Sequence, residues 1–174
     1  HRYIEFGQHA KNAGYRGLAY LYTALATSEM IHEQNYARVL ASLGAQMPEQ
    51  PPADIPLGTA KENLLYAAER ELSSIEDIYP GLLRAAEAEG HSDTITVIRY
   101  SWESHKQHLD IIEKIQRWSP GFFESVAKKM DENTDRYFVC QVCGSTVTEI
   151  PATSCPVCNE SASNYRRIAD DRFF

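Results

Sequence analysis

The chain has 174 residues, 43% of them hydrophobic and 24% charged, which is the balance of a globular protein and excludes a wholly disordered one. Its 17 Lys and Arg stand against 24 Asp and Glu, a formal net charge of -7 that argues against nucleic acid or an anionic membrane as partner. The length suits one full domain, or one domain with a small satellite. No apolar run approaches the roughly 20 residues of a membrane span, so a cytoplasmic protein is expected. The chain opens at His1 without an initiator Met and is helical in pattern at once, so it reads as lacking its true N-terminus.

Apolar residues recur at three- and four-residue spacing, as in Leu18, Leu21 and Leu25, then Ile31, Tyr36, Val39 and Leu40. Four helices are predicted. The first covers 1–13 and stops at Gly14, and the second covers 15–43 and stops at Gly44. A crossover at 45–57 carries Pro48, Pro51, Pro52 and Pro56 and must be extended. The third helix covers 59–89, interrupted only by Pro80, and stops at Gly90; the fourth covers 92–118 with Ser92 as its N-cap. Short, long and short links join two helical hairpins by one crossover, the connectivity of a ferritin-like four-helix bundle. Residues 119–135 read as a joint, with Pro120-Gly121 and a charged stretch from Lys128 that is most simply solvated. A third segment, 136–174, is rich in β-branched and turn residues and holds all four cysteines.

Those cysteines form two knuckles, Cys140-Gln-Val-Cys143-Gly144 and Cys155-Pro-Val-Cys158-Asn159. Two C-x-x-C turns let each pair bite one ion and complete a tetrahedron, and Gly144 and Asn159 stand where a knuckle needs positive φ. A pair of disulfides is the weaker alternative. Four thiolates suit zinc or iron, so the module is either a structural zinc ribbon or a one-iron electron carrier.

The hairpins can be aligned on their turn glycines. Fifteen and eighteen residues after Gly14 stand Glu29 and His32; the same steps from Gly90 reach His105 and His108. Each pair has i, i+3 spacing and so shares a helix face. Glu71 on the third helix lies among Leu64, Leu65, Ala67, Ala68 and Ile75. Glu-x-x-His pairs with added carboxylates form the di-iron arrangement of ferritin-like bundles.

On these residues the chain resembles a rubrerythrin, a ferritin-like bundle followed by a rubredoxin-like module. The resemblance implies Glu29, His32, Glu71 and His108 as bundle metal ligands, Tyr3 and Tyr79 as tyrosines beside the centre, and Cys140, Cys143, Cys155 and Cys158 as rubredoxin-type ligands. It also implies hydrogen peroxide as substrate, a reductase or rubredoxin-type electron donor, and a head-to-tail homodimer that sets one chain's module beside the other's bundle site. Three departures stand out. The family's first-helix Glu would fall before His1. His105 replaces the second bridging Glu, and an imidazole cannot bridge two metals as a carboxylate does. Ser74 replaces the second carboxylate of the third helix. The expectation is therefore that Glu29, Glu71, His105 and His108 hold at least one metal firmly, with a weaker or different second ion on Glu29, His32 and the absent upstream Glu; iron, manganese or zinc suits the first. The function implied is a non-haem iron peroxide reductase, a peroxidase-type oxidoreductase. The alternative is a redox or oxygen-responsive enzyme with a mono- or hetero-metal site, or a non-catalytic metal-binding protein with zinc in its tail.

Overall fold

The computed structural model describes residues 1–48, 55–117, 123–132 and 137–169. Pro51 and Pro52 of the crossover, Trp118 and the Pro120-Gly121 pair lie outside the described residues. Helices α1 (Arg2–Asn12) and α2 (Arg16–Ser42) form the first hairpin. The second pairs α5 (Ser92–Arg117) with a rod made of α3 (Ala60–Ser73), a π turn (Ser74–Ile78) and α4 (Tyr79–Glu89). Both hairpins reverse at the expected glycines, Gly14 at φ +88° and Gly90 at φ +76°, where only a residue without Cβ sits freely. Among the described residues no helix is long and apolar enough to cross a membrane.

Helix α2 is buried on every side from Leu18 to Ser28, because α1, α5, α6 (Phe123–Glu132) and the sheet all pack on it. That explains its run of Leu, Ala, Tyr and Thr in place of a polar face. Tyr22, Phe6, Leu21, Leu25, Leu64 and Ile112 form the centre of the core.

Three elements depart from the expected pattern. Thr59 caps α3 with a capping box: its hydroxyl accepts from the Glu62 amide at 3.2 Å, and Glu62 Oε2 accepts from the Thr59 amide at 2.7 Å. Ser92 is the first helical residue rather than a cap, and the Ile95 amide bonds to the His91 carbonyl. The rod is not one regular helix. Pro80 has no N–H and its ring crowds the carbonyl four residues back, so the helix widens in the turn before it. Trp102 Nε1 donates to the Ile75 carbonyl (3.1 Å) inside that turn, and Ser74 Oγ to the Arg70 carbonyl (2.9 Å). The extra residue keeps Glu71 and Tyr79, eight apart, on one buried face.

The segment read as a joint contains α6, which buries Ala127 and Met130 against α2. The Gly17 amide, left open at the start of α2, donates to Asp131 Oδ1 (2.5 Å). Beyond α6 comes a three-stranded antiparallel sheet in the order β2 (Thr146–Val147), β1 (Phe138–Cys140), β3 (Tyr165–Arg167). Tyr20 ties this module to α2, its hydroxyl donating to the Ile168 carbonyl (2.8 Å) and accepting from the Tyr137 amide (3.3 Å).

A Cβ on Gly17 would come within 2.7 Å of the Met130 backbone. In an open helix Gly→Ala stabilises by up to about 1 kcal/mol. Here Gly17→Ala is expected to destabilise by about 1–3 kcal/mol through forced displacement of α6, as measured by the midpoint of denaturant unfolding.

Candidate metal centres

The knuckles close by backbone bonds from Gly144 N to Cys140 O and from Asn159 N to Cys155 O, both 2.9 Å. Gly144 (φ +82°) and Asn159 (φ +60°) adopt the positive φ the turns require. The four sulfurs lie within 4.8 Å of one another, with Cys140 and Cys158 Sγ 3.8 Å apart and Cys143 and Cys155 Sγ 3.6 Å apart. A tetrahedron with metal–sulfur bonds of about 2.3 Å has edges of about 3.8 Å, so the donor set fits one tetrahedral ion; all four cysteines are free. Hydrogen bonds from Cys140, Cys143 and Tyr165 hold the Cys155 thiol well below its ordinary pKa. Burial pushes Cys158 up to about 12. An ion entering this nest must displace the protons that Cys143 and Cys158 keep.

The bundle site gathers Glu29 from α2, Glu71 from α3, and His105 and His108 from α5, with donor atoms within 4.8 Å of one another. Glu71 and His108 are fully buried, His105 nearly so, and the Glu29 side chain is about one-third exposed (35%). His105 Nδ1 lies 2.5 Å from Glu71 Oε2, and its Nε2 lies 3.4 Å from Glu29 Oε1. His108 Nδ1 lies 3.5 Å from Glu71 Oε1 and 3.7 Å from Glu29 Oε1. Yet Glu29 Oε1, Glu71 Oε2, both His105 nitrogens and His108 Nδ1 have no properly formed hydrogen bond. Buried donors aimed at one point without partners fit a metal ion.

The metal-free electrostatics agree. Burial alone would raise the Glu71 carboxyl, but His108 and His105 outweigh it and hold it at about 2. Burial likewise works against Glu29, which His105 and His32 hold well below its ordinary range. Burial would lower His105, but Glu29 and Glu71 raise it to about 10. Without metal, the two carboxylates beside its ring favour the protonated form of His105.

His32 stands outside the four-donor cluster. Its Nε2 lies 3.1 Å from the Cys143 carbonyl, which can only accept, so that nitrogen carries the proton. Its Nδ1 faces Glu29 Oε2 at 3.3 Å, a contact that either a proton or a metal ion on Nδ1 satisfies. The Tyr3 hydroxyl donates to Glu71 Oε1. Burial and the nearby Glu71 push its pKa far up, so it stays a donor. The Tyr79 ring sets its edge on His105, centroids 4.9 Å apart. Ser74, with its hydroxyl turned to the backbone, lines a cavity of about 350 Å³ beside Tyr3, Glu29, Arg70, Glu71 and His105.

Sequence reasoning missed the residues that dock the module. Asn35 Nδ2 donates to the Val142 carbonyl (2.9 Å), Ser104 Oγ to the Cys143 carbonyl (3.2 Å) and Ser28 Oγ to the Gly144 carbonyl (2.6 Å). A side chain on Gly144 would collide with His32 and Ser28. The available signal was a polar row, Ser28, His32 and Asn35, at helical spacing on an otherwise apolar helix. Within the single chain the module meets the bundle through these bonds.

The rubrerythrin family model matches residues 1–116. The chain belongs to the rubrerythrin family. It is 26% identical over 165 residues to rubrerythrin-2 of Clostridium acetobutylicum, covering 95% of this chain and 86% of that one. It is 25% identical over 158 residues to nigerythrin of Nitratidesulfovibrio vulgaris, covering 90% and 73%. Fully reduced, all-ferrous nigerythrin has the same fold, with a TM-score of 0.74 at 24% identity over 95% of this chain and 77% of that one. The rubrerythrin architecture of ferritin-like bundle and rubredoxin-like module is therefore present.

The pKa directions set the stability of the metal-free protein. The raised His105 stabilises below its ordinary 6.5, a contribution lost as pH rises through about 10. The depressed Glu71 stabilises above its ordinary 4.5, a contribution lost as pH falls toward about 2. Chelated protein should lose stability from pH 7 to 10, and His105→Gln should flatten that alkaline limb relative to the parent, in denaturant unfolding at each pH.

Proposed function

We propose that this chain reduces hydrogen peroxide to water, with electrons entering at the four-cysteine module and chemistry taking place beside Glu29, Glu71, His105 and His108. The balance is one peroxide, two electrons and two protons to two waters. The observation that carries the reading is the contact of the Cys143 carbonyl with His32 and of His32 with Glu29, which leaves a single side chain between the two donor sets. Iron, bound at both sites, would supply the electrons.

The protein's own residues do the rest. Glu29 and Glu71 bring two negative charges, which one divalent ion neutralises; a second ion would leave a buried excess of positive charge. One firmly held bundle metal follows, with Glu29 Oε2 and His32 Nδ1 as the weaker position. Tyr3 fixes Glu71 Oε1 and holds a proton at the wall of the cavity. Tyr79 keeps the His105 ring from turning. The cavity gives a small polar substrate room next to these groups, on the side where Ser74 leaves space. Cys158, the only cysteine that is partly exposed, faces a reductase or rubredoxin-type donor. A homodimer is compatible with this scheme, but the two sites already meet within one chain.

The second reading, a non-peroxidatic site with a single or mixed metal, is favoured by His105 and Ser74 alone. An anaerobic visible spectrum with elemental analysis separates the two. The expected result is a ferric tetrathiolate absorption that reductant bleaches and peroxide restores, with at least one bundle metal per chain beyond the thiolate-bound ion. Glu71→Ala should lower peroxide turnover by about 100-fold or more, since even outer partners of metal ligands are worth 10–100-fold. A colourless protein, or turnover unchanged in that variant, would rule the proposal out.

A further inference from the structure

Thr146 belongs to the four-cysteine module, yet its hydroxyl touches the bundle. Its single hydroxyl proton goes to the Gly144 carbonyl (3.1 Å), so toward His108 Nε2, 3.3 Å away, it can only accept. His108 therefore carries its proton on Nε2 and turns the Nδ1 lone pair to the donor cluster. The Cys143 carbonyl does the same for His32. Both histidines that ligate through Nδ1 in the proposed site owe that tautomer to acceptors on the module, and none of these acceptors lies on a bundle helix. The Thr146 amide is itself held by Gln107 Oε1 (3.1 Å), from the same turn of α5 as His108.

We infer that Thr146 is a positioning residue for the bundle metal: docking of the four-cysteine module sets the tautomer and ring orientation of His108, and through them the bundle's affinity for a divalent ion. Coupling of this kind is reciprocal, so a metal in the bundle also tightens module docking. The inference rests on the bundle site binding metal as proposed above.

The test uses the full chain with its tetrathiolate site filled by zinc, titrated anaerobically with cobalt(II) and read by the visible bands of bundle cobalt. Outer hydrogen-bond partners of metal-bound histidines are typically worth 10–100-fold in affinity. Thr146→Val, which keeps shape and removes the acceptor, should weaken bundle cobalt by about that factor and alter its bands, while Thr146→Ser should restore both. Parent-like affinity in Thr146→Val overturns the inference. Should that variant lose its thiolate-bound zinc, Gln107→Ala decides: it loosens the same strand from the bundle side, a weaker bundle affinity is expected, and an unchanged one overturns the inference. A parent chain that takes up no bundle cobalt refutes the metal reading instead.

Discussion

Two carboxylates and two imidazoles aimed at one buried point cannot remain as they are without a positive charge among them. That requirement organises the molecule. Metal-free, a proton on His105 would meet it; loaded, an ion would meet it with two charges. The helices that supply the donors are held by ordinary core packing around Tyr22, Leu25 and Leu64. The net effect is that hydrophobic burial supports a polar arrangement that would not assemble alone.

The same logic extends outward. The knuckle carbonyls of Val142, Cys143 and Gly144 point away from their own turn, and all three find donors on the bundle. Buried carbonyls must be paired, and here their partners are Asn35, His32, Ser104 and Ser28. The proposed metal site and backbone satisfaction therefore share one interface. A change that separates the module would strand carbonyls on one side and histidine N–H groups on the other.

Much of this was legible in the amino-acid order. The C-x-x-C spacing and its positive-φ residues follow from the turn geometry of a knuckle, and the structure has them in place. Glu29, His32, His105 and His108 could be found because helical hairpins reversed at equivalent glycines repeat their depth. What escaped was set by contacts between distant segments. The Ile75 carbonyl in the widened turn before Pro80 takes its side-chain donor from Trp102, reaching across from α5. The order of α6 depends on Gly17, more than a hundred residues earlier. The outward bond of His32 depends on a carbonyl in another module. Local periodicity carries no trace of such partners, whereas the polar row on α2 did, as an unexplained exception to burial.

The π turn sets a phase relation between the two halves of the third rod. Deleting one residue between Ser74 and Ile78 would yield a smoother helix with better local geometry. Straightening the rod with no residue removed would instead swing everything downstream by about 100°, carrying the Tyr79 ring off His105 and Ala86 out of its packing against α5. The irregularity works as a register shim: removing its one extra residue leaves Tyr79 and Ala86 in phase, whereas a further insertion would need a matching deletion before Gly90.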